Sequence, residues 1–227
     1  MATQAETGAG AAEKSRYACR HPLLFAIVMT AVAGYVDAVG FSQADKLYLS
    51  FMSGNSTRLG SALAQGDFSV LLLAGLVVLC FVGGAAHGTL IMETVSRHRM
   101  VWVLVAEILL FATALALVLT GWGRLPLFLI AATMGMQNTA HQVVDGADVG
   151  KSFVTGTLFS FGQSLVRALL GRASARECAD YALSWVAFIC GVALGAVVVG
   201  GFGLVEAIAA VLAVLTLTAA GLRAGWL

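Results

Sequence analysis

The sequence predicts an all-α fold: a polytopic membrane helix bundle with an internal repeat and six to eight transmembrane helical elements. Three observations point there. The 227 residues are 59% hydrophobic and 11% charged, with 26 glycines and a mean hydropathy of +0.91, far from the balance of a soluble domain. Several nearly uncharged runs reach about 18 residues or more, the length a helix needs to cross roughly 30 Å of hydrocarbon. A polar, glycine-rich stretch also occurs twice: residues 49–66, LSFMSGNSTRLGSALAQG, are echoed 102 residues later by residues 152–170, SFVTGTLFSFGQSLVRALL. Ser50, Phe51, Gly54, Gly60 and Leu63 recur as Ser152, Phe153, Gly156, Gly162 and Leu165.

Residues 1–20 read as a small polar tail. Lys14, Arg16 and Arg20 beside the first span favour a cytoplasmic N-terminus, and the full-length apolar run that follows is unlike a cleaved signal peptide. The first span, 22–41, opens on Pro22, which suits a first helical turn. Gly34 and Asp37 lie three apart near its end, a small packing residue beside a carboxylate. Deep in a span that carboxylate costs roughly 2.5 to 3.5 kcal/mol and needs a partner or a proton, whereas at the interface it is ordinary.

The first polar segment, 49–66, carries Ser50, Ser53, Gly54, Asn55, Ser56, Thr57 and Arg58, more polar groups than lipid tolerates. Two readings stand. It is either a continuous helix shielded by neighbours, or a discontinuous or re-entrant element broken at residues 53–55, with backbone amides free to meet a ligand. The third segment, 69–92, has Gly84 and Gly88 in a GxxxG spacing with His87 beside them. That histidine suits a proton relay or a satisfied interhelical donor. The fourth, 100–120, carries Glu107, read either as an intramembrane carboxylate or as one snorkelling to the headgroups.

After a short turn, Pro126 opens a fifth span as Pro22 opens the first, and Gly135 and Asn138 stand where Gly34 and Asp37 stood. Gln137, Asn138 and His141 make a second polar helix end. The second polar segment, 151–170, follows with Thr155 and Gly156. A charged loop at 171–180 leads to a seventh segment at 181–201, where Phe188, Gly191 and Gly195 repeat Phe81, Gly84 and Gly88 at an offset of 107. The last span runs over about 203–220. The chain thus divides into one membrane domain, 21–222, made of two repeats, 21–121 and 124–222.

If both polar segments are shallow, each repeat crosses three times and the second copy is inverted. Every Lys and Arg except Lys46, Arg58 and Arg124 then falls on the cytoplasmic side. Eight crossings leave four outside, so charge alone does not decide. In an inverted repeat the polar positions converge on one cavity, with Asp37, Asn55, Arg58, Gln137, Asn138, Thr155 and His87 as candidates for a substrate or coupling-ion site. An Asp37–Arg58 ion pair is expected there, or an anion held by Arg58. Gly34, Gly54, Gly84, Gly88, Gly156, Gly191 and Gly195 are the candidate helix-packing glycines.

The four cysteines, Cys19, Cys80, Cys178 and Cys190, and the four histidines are scattered, so no metal or other cofactor is expected. The sequence contains no HExxH, GxSxG or paired-cysteine motif to suggest an enzyme. Its basic residues form no stripe for nucleic acid. The runs AGYVDAVGF, YLSFMSGNSTRLG, GMQNTAH and FVTGTL resemble the YoaK-like family, a bacterial membrane family described as a domain of unknown function. The resemblance covers about residues 20 to 222. It implies a bacterial inner-membrane protein drawn with six spans, and no substrate or site residue.

The expected function is a small secondary transporter or permease for a small polar or anionic solute, proton-coupled through Asp37. A structural or interaction protein of the membrane is the alternative, with a channel or membrane enzyme behind it. The lipid bilayer, a small solute and a second copy of the chain are the expected partners.

Overall fold

Proline opens the first helix of each half. In the structure, a computed structural model describing residues 20–139, 142–144, 147–149 and 154–227, α1 spans Pro22–Gln43 and α5 spans Leu125–Gln137. The missing N–H of proline costs nothing in a first turn, and its fixed φ already suits the helix. Between them lie α2 (Met52–Gln65), α3 (Phe68–Thr94) and α4 (Arg99–Leu119). After α5 come two short antiparallel strands, β1 (Gln142–Val144) and β2 (Ala147–Val149), then α6 (Val154–Leu169), α7 (Ala175–Gly201) and α8 (Leu204–Arg223). Among the described residues, five helices, α1, α3, α4, α7 and α8, are long and apolar enough to cross a membrane. The tail before Arg20, His141 and residues 151–153 of the second polar segment lie outside the described residues.

Local chemistry explains where the observed bounds depart from the expected ones. Part of the charged loop at 171–180 is helical, because Ser174 caps the helix: its hydroxyl accepts from the Glu177 amide at 3.1 Å. Asp67 caps α3 in the same way, accepting from the Val70 amide at 3.1 Å. The β1–β2 hairpin is an addition to the expected all-helical plan.

The internal repeat is visible in the packing. α1 packs most closely on α7, and α5 on α3, so the first helix of each half lies against the third helix of the other. A Cβ on Gly34 would fall on the Phe188 carbonyl, and Cβ atoms on Gly191 and Gly195 would fall on the carbonyls of Ala31 and Tyr35. The second crossing repeats the first position for position. Gly135 meets the Phe81 carbonyl, Gly84 the Ala132 carbonyl, and Gly88 the side chains of Met136 and Thr139. Lipid tails are as apolar as leucine, so helices in a membrane associate through van der Waals contact at close backbone approach, which glycine alone permits here. Gly54 serves differently: it makes room for the rings of Phe51 and Tyr48 in the segment that precedes its own helix. Gly156 is exposed on α6.

The polar segment 49–66 does not cross the bundle. With 14 residues α2 extends only about 21 Å, short of the roughly 30 Å of hydrocarbon. Asp45 just beyond α1 pairs with Arg124 just before α5 at 2.7 Å, which puts the end of α1 and the end of α4 at the same end of the bundle. Because α3 and α4 form a crossing hairpin, α3 begins at that end as well. The chain between α1 and α3 therefore leaves and returns on one side. At the opposite end the Arg20 amide donates to the Leu227 carbonyl at 2.8 Å, bringing the two outer ends of the bundle together.

The glycine crossings admit a test with an internal control. Gly84→Val should lower unfolding stability in detergent by about 3 kcal/mol, because its added methyls meet backbone that cannot move aside. Gly83→Val, one residue away with nothing within 4 Å of its Cβ, should stay within about 0.5 kcal/mol. Equal thermal midpoints for the two variants would contradict this packing.

Candidate functional site

The site begins where α1 ends. Asp45 and Lys46 take positive φ values of 50° and 65°, and the chain reverses to run back along the last turns of the helix. Ala44, Leu47 and Leu49 are wholly buried, and the Leu49 side chain lies against Gly40. Ser50 reaches Asp37, six residues in from the end of α1 and hence about 9 Å deep. The chain then turns outward as α2. This is the re-entrant form of the polar segment, with its break ahead of the helix and not at the expected 53–55, where α2 is continuous.

Asp37 holds the inner tip of the re-entrant segment. One carboxylate oxygen accepts from the amides of Leu49, Ser50 and Phe51 at 2.9, 2.6 and 3.3 Å, and the other accepts from the Ser50 hydroxyl at 2.8 Å. Three consecutive amides curving around one anion form a nest, and charge-assisted bonds of this kind are about twice as strong as neutral ones. Asn55 completes the clamp from α2. Its side-chain oxygen accepts from the Tyr48 amide at 2.9 Å and its nitrogen donates to the Tyr48 carbonyl at 2.7 Å. The backbone from residue 48 to 51 is thus bound on both sides.

A cavity of about 590 Å³ opens beside this tip. Its walls are Asp37, Ala38, Phe41 and Ser42 of α1, Tyr48 and Phe51 of the re-entrant segment, Val154 and Thr155 at the start of α6, and Phe188, Val192, Ala196, Val199 and Gly200 of α7. The starts of the two polar helices, one from each repeat, therefore meet at one cavity. Mostly apolar walls with a few hydroxyls and a carboxylate are the usual composition of a small-molecule site.

Only part of the predicted constellation assembles there. Asp37 and Thr155 line the cavity, and Asn55 lies behind its wall, fully buried. The expected Asp37–Arg58 ion pair does not form. The nest already occupies the Asp37 oxygens, and Arg58 points into a separate groove of about 260 Å³ shared with Thr57, Ser61, Gln65, Asp67 and Val70. His87 is exposed on α3, beside the glycine face that meets α5. Gln137 donates to the Met29 carbonyl at 2.9 Å, tying α5 to α1, and the Asn138 side chain donates to the Met134 carbonyl at 2.9 Å.

Sequence reasoning missed Tyr48, Phe51, Phe188 and Val192 as cavity walls: Tyr48 and Val192 carried only aromatic or apolar character, and Phe51 and Phe188 stood out only as repeat positions. It also left Glu107 between two readings. The snorkelling one fails, since Glu107 is 0% exposed on α4. Among the described residues, those able to bind metal form no cluster of three or more.

The chain belongs to the family described as Protein of unknown function (DUF1275), whose model matches residues 25–221. It is 32% identical over 192 residues to the UPF0700 transmembrane protein RA0705 of Rhizobium meliloti (strain 1021), covering 85% of this chain and 82% of that protein. This agrees with the resemblance read from the motifs and with a multi-pass bacterial membrane protein. No solved structure matches.

The nest can be tested by its loss. Asp37→Ala strands three amides and a hydroxyl, and should cost about 3 kcal/mol and expose residues 44–51 to protease. Asp37→Asn keeps an acceptor for the amides and should cost only about 1 kcal/mol. Thermal midpoints and cleavage rates that do not separate the two variants would refute an anchoring role.

Proposed function

We propose that this protein is a small permease of the bacterial inner membrane, with the cavity between α1 and α7 as its solute site. The observation that carries this reading is that the starts of two polar helices, one from each half, line a single cavity; with α2 shallow, the first half crosses three times and the second is inverted. Inverted repeats with broken elements at mid-depth are a recurring plan for alternating access, in which one half rocks against the other about a fixed site. The α4–α8 contact supports the same motion. Phe111 of α4 shares a small void with Ala207, Ile208 and Val211 in the first turns of α8, as antiparallel helices related by a two-fold axis in the membrane plane do.

The walls narrow the solute class. No Lys, Arg or His lines the cavity among the described residues, so the anion expected on account of Arg58 finds no cation here. Aromatic and aliphatic surface beside Ser42, Tyr48, Thr155 and the Asp37 nest suits a small amphiphile with an apolar body and one hydrogen-bonding end. The positive-inside bias supports a cytoplasmic N-terminus, with Arg97, Arg99, Arg172 and Arg176 inside and Lys46 and Arg124 outside. The dense clamp on residues 48–51 favours a second reading, a non-transporting structural or interaction protein whose polar groups serve only to hold a re-entrant loop.

Alternating access separates the two readings without knowledge of the solute. In a variant whose native cysteines are replaced, Thr155→Cys and Val192→Cys should each react with a membrane-impermeant maleimide in right-side-out and in inverted vesicles. Reaction from one face only would overturn the permease reading and favour the structural one.

A further inference from the structure

Glu107 is the buried ionisable group that neither the cavity nor the clamp uses. It sits in the middle of α4, on the face formed with Val103, Leu104, Phe111 and Ala114, which packs on α5 and α8. Its side chain is 0% exposed, and neither carboxyl oxygen has a hydrogen-bond partner among the described residues. The helices around it offer no counter-charge. α5 has no ionisable residue; on α8, Glu206 and Arg223 are exposed near the two ends; on α3, His87 and Glu93 are exposed and Cys80 is half-buried. On α1, which does not pack closely on α4, Asp37 is committed to its nest. The two buried threonines of α5 and α8, Thr133 and Thr218, donate to carbonyls of their own helices.

Packing gives no account of this carboxyl. The buried positions of α4 recur in order on α8, where Ala207, Ile208, Val211, Leu215 and Thr218 stand for Val103, Leu104, Glu107, Phe111 and Ala114. An apolar Val211 therefore fills the equivalent place, and the acid occurs once at the contact between the two equivalent helices. An ionised carboxylate with no partner is among the costliest things to bury, so the packing shown accommodates only the neutral acid. A metal ion would need a shell of several oxygens, and no such cluster surrounds it among the described residues.

We infer that Glu107 is a proton-binding site of the transport cycle, loaded in this closed packing of α4 against α5 and α8 and unloaded to water when that packing opens. The inference rests on the permease reading and adds a coupling ion to it. The proton is taken up by a carboxylate oxygen from water on one side of the membrane and released from it to water on the other. No other bond changes. Asp37 then remains the anchor of the re-entrant segment, and the protonic step lies on a different helix.

Dicyclohexylcarbodiimide, which reacts with protonated carboxyls in apolar surroundings, tests this on the full chain in proteoliposomes. The adduct on the Glu107 peptide, read by mass spectrometry, should fall about tenfold or more between about pH 5 and pH 9. Labelling that is absent throughout, or that does not change with pH, overturns the inference. A second measurement uses the Thr155→Cys background. The ratio of maleimide labelling from the two faces should shift with pH when Glu107 is present and become independent of pH in Glu107→Gln, which keeps the shape of the neutral acid. A shift that survives in Glu107→Gln refutes Glu107 as the site while leaving the permease reading intact. One-sided labelling with Glu107 present refutes that reading itself, and the coupling inference with it.

Discussion

Everything in this bundle depends on backbone touching backbone at two equivalent crossings. In lipid there is no hydrophobic force to drive apolar helices together, so cohesion comes from contact distance. Gly34, Gly191 and Gly195 bring α1 and α7 within reach of one another's carbonyls, and Gly135 and Gly84 do the same for α5 and α3, with Gly88 making room for the Met136 and Thr139 side chains. That closeness makes α1 and α7 a stiff back wall for the cavity. It also fixes the last turns of α1 so firmly that a carboxylate on them can serve as an anchor.

The second constraint is the management of polar backbone below the membrane surface. A chain that dips about 9 Å and returns carries amides that water cannot reach, and each must find an acceptor. Asp37 supplies acceptors for three, and Asn55 answers one amide and one carbonyl. A charged residue that looks expensive within a hydrophobic run thus offsets a cost that arises elsewhere in the chain. The surface pair of Asp45 and Arg124 is about half exposed and adds little energy, but it reveals which helix ends lie together.

How much of this was legible depended on which physical rule governed each part. The helices could be read because hydrocarbon thickness and charge exclusion act on contiguous residues, and the repeat because glycine spacing recurs at the crossings. Gly34 and Gly135, like Phe81 and Phe188, align in the sequence at the positions where the crossings touch. The site was only half legible. Asp37, Asn55 and Thr155 stood out as polar residues among apolar ones, but the partner of Asp37 is backbone, and backbone donors leave no mark in composition. An Asp37–Arg58 pair was the natural expectation from side chains alone. It failed because α2 turns Arg58 toward α3. Glu107 was visible as a charge in a span, yet its burial depended on which face of α4 meets α5 and α8.

The exchange of first helices between the halves also has a history in time. The α1 helix is synthesised before its partner, and the face it needs on α7 is made more than 150 residues later, about 8 to 30 s at ordinary elongation rates. Through that interval Gly34 presents a bare backbone groove to lipid or to whatever helix is nearby. α5 does not wait, because α3 is already in place when it emerges. The two crossings are equal in the finished molecule and unequal in assembly, so the one that borders the cavity is the last to close.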